Sequence, residues 1–163
     1  MFNCKEFVKA DEIAKELSPL QPETVSFLAG RIMLERIHEL LEQNTDFIIE
    51  TTLTTLSYRK IIELSNRKGY QVILLLFWLN NVNLSIKRVK MRVAEGGHNI
   101  PEAVIIRCYY KGISNLINVF ISLCDYWTVV DNSFKLNSLI AEGIGDAEVV
   151  IYNEKIWKII KTE

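Results

Sequence analysis

Val72-Ile73-Leu74-Leu75-Leu76-Phe77-Trp78-Leu79 is the longest apolar run in the chain. Its length falls far short of the about 20 residues that a membrane span needs, so it reads as a strand. No polar side chain interrupts either face. That predicts a strand covered on both sides, at the centre of a parallel sheet. Working towards the amino end, Ser57 to Lys68 has a helical pattern that Gly69 closes, as helix ends prefer. Phe47-Ile48-Ile49 is a strand leading to Glu50. From Thr24 to Gln43, Val25, Leu28, Ile32, Ile37, Leu40 and Leu41 fall near one helical face, and Pro22-Glu23 suits the helix start. Asp11 to Leu17 is helical, and Glu6 to Ala10 is a short strand.

Towards the carboxyl end, two helices, Asn83 to Glu95 and Pro101 to Phe120, flank the Gly96-Gly97 break. Tyr126 to Asp131 is a further strand. Leu136 to Glu142 and Glu148 to Tyr152 are strands that suit a late hairpin, and Asn153 caps a last helix through Ile160. This alternation predicts one α/β domain over 163 residues, with a mainly parallel sheet and right-handed crossovers.

Composition narrows the function. Apolar residues make up 49% of the chain, charged residues 24%, and the net charge is -1. No global field draws it to nucleic acid or to a membrane surface. Met1-Phe2-Asn3-Cys4-Lys5-Glu6 has no basic start followed by an apolar stretch, so a cytoplasmic location is expected. Cys4, Cys108 and Cys124 are widely spaced and form no metal-ligand pattern, which predicts reduced thiols and no bound metal on protein ligands of that kind.

Ligands of open α/β sheets gather at the carboxyl ends of strands. Asp11 follows the first strand and Glu50 ends the second, with Thr51 and Thr52 directly after. Such a rim positions a substrate hydroxyl, accepts its proton, or holds a metal through water. Simpler roles stand beside these. Asp11 is also suited to N-cap its helix, and Glu50-Thr51-Thr52 to feed a turn. Arg88 and Arg92 lie one helical turn apart with Lys87 and Lys90 nearby, and Arg107 follows the Gly96-Gly97-His98-Asn99-Ile100-Pro101 turn. A cationic hinged segment suits phosphates, and it is equally a pattern of solvated helix faces.

The strings Glu6-Phe-Val-Lys-Ala-Asp-Glu-Ile-Ala14, Leu17-Ser-Pro19, Ala29-Gly-Arg31, Glu50-Thr-Thr-Leu53, Phe77-Trp-Leu79, Gly96-Gly-His-Asn-Ile-Pro101 and Cys124-Asp-Tyr-Trp127 resemble, in order and spacing, the zeta-toxin-like family of bacterial P-loop kinases. The resemblance runs over nearly the whole chain. It implies a three-layer P-loop-kinase fold, ATP and Mg2+ as cofactors, and phosphoryl transfer to a small-molecule hydroxyl of the sugar-nucleotide type. An antitoxin-like protein is the implied partner. By the same resemblance Asp11 is the base facing the acceptor hydroxyl, and Glu50 and Thr51 lie at the acceptor site. Arg88 or Arg92, with Arg107, are cations of a lid at about residues 84–112, and His98 lies near the nucleotide.

Departures from the family pattern set further expectations. No G-x-x-x-x-G-K-[S/T] loop occurs in the chain. The chain opens where the family's first helix has already ended, so the first strand, phosphate loop and first helix are expected to be missing and ATP binding by the chain alone to be poor. Lys9 stands where the family usually has asparagine, and Ile105-Ile106-Arg107-Cys108 keeps one arginine where the family tends to have several. Two alternatives to an impaired kinase follow: an inactive remnant, or a module of toxin–antitoxin type that binds a partner through an exposed sheet edge.

Overall fold

The computed structural model describes residues 4–97 and 99–162. The chain divides into two compact units. The first holds the described residues up to Thr51, with Gly96 and Gly97. The second holds Thr52–Glu95 and the residues from Asn99 onward.

In the first unit, β1 (Glu6–Val8) runs parallel to β2 (Phe47–Ile49), in the register Glu6–Phe47, Phe7–Ile48, Val8–Ile49. Between them lie α1 (Ala10–Leu17), a 3-10 turn at Pro22–Val25, and α2 (Ser26–Glu42). Ala29, Met33, Ile37, Leu40 and Leu41 recur at helical spacing on α2 and are almost wholly buried, as are Val8 of β1 and Ala14 of α1. Arg36 on α2 reaches Glu6 of β1 at 3.1 Å.

The second unit is built on a four-stranded sheet, with β3 (Ile73–Trp78), β4 (Tyr126–Asp131), β5 (Ser138–Ile144) and β6 (Glu148–Ile151) in that spatial order. β3 and β4 are parallel, but β4–β5 and β5–β6 are antiparallel. The expected mainly parallel sheet is therefore wrong: two of the three pairings in this sheet are antiparallel. The β5–β6 pairing is made by a tight return, where Gly145 takes φ +48, a left-handed conformation that favours glycine. A two-strand hairpin needs no crossover helix, whereas a parallel pair does.

The expected central place of the Val72–Leu79 run also fails. Among the described residues β3 pairs with β4 alone and forms the sheet edge. Its side chains alternate: Leu74, Leu76 and Trp78 pack on the core, while Ile73, Leu75 and Phe77 are about half exposed. The core face is covered by α3 (Ser57–Arg67), α5 (Glu102–Asn115), a π-helical turn at Leu116–Phe120 and α6 (Glu154–Thr162). Its centre is Trp127, stacked on Trp157 with ring centroids 5.5 Å apart. Trp127 also donates its indole N–H to the Gly145 carbonyl at 2.9 Å. Gly143 lies against this ring, where an added Cβ would fall on Trp127 and on the Glu148 carbonyl. α4 (Val82–Ala94) is capped by the Asn81 side chain, which accepts from Leu84 N at 2.9 Å. Asn153 caps α6 in the same way, accepting from Ile156 N at 3.1 Å.

Three strands are tied on the opposite face by one carboxylate. Glu142 of β5 accepts from Tyr126 of β4 at 2.6 Å and from Tyr152, just after β6, at 2.7 Å. The Tyr126 hydroxyl and then that of Tyr152 hold the Glu142 carboxyl below its ordinary 4.5. The same bonds to Glu142 push Tyr126 and Tyr152 above their ordinary 10.0. A lowered carboxyl stabilises the fold above its unfolded value, and that stabilisation goes as pH falls through the folded value. Raised phenols stabilise below their unfolded value and cease to do so as pH climbs through the raised ones. Glu142→Gln is expected to flatten the melting temperature against pH in both the acid and the alkaline limb. Ultraviolet titration should show the phenolate transitions of Tyr126 and Tyr152 moving down. Unchanged limbs would show that the bridge does not form in solution.

Candidate functional site

The acids singled out in the sequence lie in the first unit. Asp11 stands in the first turn of α1, directly after β1, and Glu50 directly after β2. Because the two strands are parallel and in register, Lys9 and Glu50 come out opposite each other. Lys9 Nζ lies 2.9 Å from Glu50 Oε2, with the lysine side chain 23% exposed and the glutamate 57%. Glu50 is thus a paired carboxylate, with Lys9 as its partner. At that exposure the pair contributes little to stability, about 0–1 kcal/mol, and acts mainly by neutralising the rim.

Asp11 does not cap its helix. The cap position is Lys9, without a side-chain bond, and Asp11 sits one residue inside the helix. A carboxylate in the first turn is favoured by the helix dipole, so the residue is compatible with the helix start while its oxygens stay available. Asp11 is half-buried and makes no hydrogen bond or ion pair with the described residues. Thr51 is half-buried beside Glu50.

The loop that leaves Thr51 and Thr52 is held by residues that the sequence did not signal. Leu53 is buried and has φ +56, a left-handed conformation costly for a bulky side chain. The buried Asn115 of α5 donates its amide to the Leu53 carbonyl at 2.7 Å and to the Thr54 carbonyl at 3.1 Å. One turn earlier, Gly112 lets the Thr52 carbonyl approach the helix where any Cβ would collide. An asparagine in the apolar run Ile113-Ser-Asn115-Leu-Ile is the one available sequence signal for this clamp.

The cations lie in the second unit. Arg88 on α4 is half-buried and donates to the Asn132 carbonyl, in the turn after β4. That turn is closed by Asn132 N on the Trp78 carbonyl at 2.9 Å, by Ser133 N on Asp131 Oδ1 at 2.8 Å, and by Asn80 N on Ser133 Oγ at 2.8 Å. Arg88 therefore braces α4 at the carboxyl ends of β3 and β4. Arg92, one turn on, and Arg107 on α5 are exposed. Lys90 of α4 reaches Glu102 of α5 at 3.4 Å. His98 lies outside the described residues. Among the described residues no three His, Cys, Asp or Glu side chains gather as metal ligands. No described helix is long and apolar enough to cross a membrane. Cys4, Cys108 and Cys124 are free, and burial pushes the Cys124 thiol up to about 12, far from a reactive thiolate.

The zeta toxin family model matches residues 5–136. The chain belongs to the zeta toxin family. A relative from Haemophilus influenzae, described as an uncharacterized protein, is 30% identical over 98 residues, which span 60% of this chain and 70% of that one. A solved chain from the PezAT chromosomal toxin–antitoxin system of Streptococcus pneumoniae superposes over 96% of this chain and 72% of its own length. Its TM-score is 0.58 and its identity 14%, which shows a shared fold. The match of the zeta toxin model takes in both units and every candidate residue named above.

The Asn115 clamp has a direct test. Asn115→Ala leaves two loop carbonyls without their donor and should lower the unfolding free energy by about 1–3 kcal/mol in urea denaturation. A midpoint equal to that of the wild type would remove the clamp from the account.

Proposed function

We propose that this chain carries the acceptor side of a phosphotransferase of the zeta toxin kind. The family reaction moves the γ-phosphoryl group of ATP to a hydroxyl of a small molecule, of the sugar-nucleotide class. The observation that carries the reading is the rim of the first unit: a half-buried Asp11 with no ion pair among the described residues follows β1, and a Glu50 paired with Lys9 at 2.9 Å follows the adjacent β2. One carboxylate has no ion pair among the described residues and the other is paired with Lys9. Asp11 accepts the proton of the acceptor hydroxyl, while Glu50 and Thr51 orient the acceptor through hydrogen bonds.

ATP and Mg2+ do not fit the residues at hand equally well. The phosphate loop of such enzymes supplies backbone N–H groups, a lysine and a magnesium-binding hydroxyl. The sequence contains no such loop, and the described residues gather no metal ligands. The proposal therefore stops at acceptor binding and proton acceptance. Arg92, Arg107 and Arg88, with His98, are assigned to the nucleotide side as the cations of that family reaction, with Arg88 held in place by the Asn132 carbonyl. The impairment expected from the missing loop is part of this reading.

A second reading is a partner-binding module of the toxin–antitoxin type. It is favoured by the fold shared with a chain of the PezAT system, and it leaves Asp11 without a role.

Calorimetry and a transfer assay separate the two. Mg-ATP is expected to bind the chain more weakly than about 1 mM, whereas an amino-sugar nucleotide binds measurably. Asp11→Asn should keep acceptor binding and abolish any transfer, and Glu50→Gln should weaken acceptor binding. Micromolar Mg-ATP binding would overturn the impairment. Acceptor binding that is absent, or indifferent to both variants, would overturn the acceptor site and leave the partner-binding module.

A further inference from the structure

The Lys9–Glu50 pair leaves most of its hydrogen-bonding capacity unused. Lys9 Nζ lies 2.9 Å from Glu50 Oε2. An ammonium carries three N–H donors, and a carboxylate has about four acceptor sites on its two oxygens. The contact takes one donor and one acceptor site. Among the described residues neither side chain has another hydrogen bond or ion pair. Spare donors on Lys9 therefore stand next to a spare oxygen, Glu50 Oε1.

The spacing of these two groups is fixed from both sides. Lys9 follows β1 at the cap position of α1, with an extended backbone, and Glu50 follows β2. The pairing of Val8 with Ile49 sets one stem beside the other. The lysine side chain is mostly buried, while more than half of the glutamate side chain is open to water. Both residues belong to the first unit.

We propose that Lys9 is a specificity-determining residue of the acceptor site, where Lys9 and Glu50 together select a vicinal diol, two hydroxyls on adjacent carbons of a neutral ring or chain. One hydroxyl accepts from the Lys9 ammonium and its neighbour donates to Glu50 Oε1. A donor and an acceptor side by side match two neighbouring hydroxyls, each of which can donate or accept. Charge decides against an ionic group at this position. An anion brought to Lys9 would meet the Glu50 carboxylate, and a cation brought to Glu50 would meet the Lys9 ammonium, in each case a like charge at contact distance. Two hydroxyls meet neither. Glu12 does not alter this balance, since Lys15 pairs with it at 2.9 Å. The inference rests on the acceptor-side reading of the first unit and adds to it the feature of the acceptor that Lys9 recognises. The hydroxyl assigned to Asp11 is a third group, separate from the diol.

The test is calorimetric binding to the whole chain of an amino-sugar nucleotide and of its monodeoxy analogues, each lacking one ring hydroxyl. Two analogues, altered at adjacent carbons, should bind about tenfold more weakly than the parent. Lys9→Met keeps the apolar stem and removes the donors. It should weaken the parent about tenfold and leave one of those two analogues unchanged, because that analogue no longer has the bond to lose. Glu50→Gln should be coupled in the same way to the other analogue. Parent binding that Lys9→Met leaves unchanged, or that falls equally for every sugar, overturns this inference and leaves the acceptor reading standing. A uronic acid analogue that binds more tightly than the parent, and loses that advantage in Lys9→Met, also overturns it, since Lys9 would then serve an anion. No binding of the parent sugar overturns the acceptor reading and this inference with it.

Discussion

The parallel pairing of β3 with β4 is the constraint on which the second unit depends. It aligns Leu74 with Trp127 and Leu76 with Val129, so the two inner rows form one apolar surface. α5 and α6 can pack only because that surface exists, and the Trp127–Trp157 stack closes over it. The same register brings Trp78 level with Asp131 and so places the Asp131–Ser133 turn beside Asn80. Arg88 finds its carbonyl acceptor in that turn. A slip by one residue would exchange the inner and outer rows and remove both the core and the turn that Arg88 braces.

The first unit repeats this logic on a smaller scale. Its two parallel strands are only three residues long, too short to stand alone. α2 supplies the burial they lack, through Met33, Ile37, Leu40 and Leu41. What the strands provide in return is register, since pairing Val8 with Ile49 brings Lys9 opposite Glu50. The ion pair is thus a consequence of strand alignment. It settles which carboxylate at this rim carries a counter-ion and which does not.

Most elements were legible from periodicity and from punctuation. β2 and β4 fall on the expected residues, and Asn153 caps α6 as its position implied. Sheet order was not legible, for a physical reason. An unbroken apolar run reports that both faces of a strand avoid water, and it does not report whether a neighbour is present on each edge. Val72–Leu79 was therefore placed at the centre of a parallel sheet, although β3 ends the described one. In the first unit, the places of Asp11 and Glu50 just after β1 and β2 were legible from the strand pattern. The roles of Lys9, Leu53 and Asn115 were not. An ion pair needs the register, and a left-handed leucine needs the clamp that holds it, and both arise from contacts remote in sequence.

The clamp at Asn115 fixes the loop over Thr52–Thr54 within the second unit. A backbone held in a sparsely populated region persists only where its surroundings over-determine it. Here two carbonyls of the loop, at Leu53 and Thr54, are fixed by one buried amide, and a third, at Thr52, is seated against a glycine. Three anchored carbonyls in succession leave the chain little freedom there, so the course of the loop over Thr52–Thr54 is set by α5 and not by local preference.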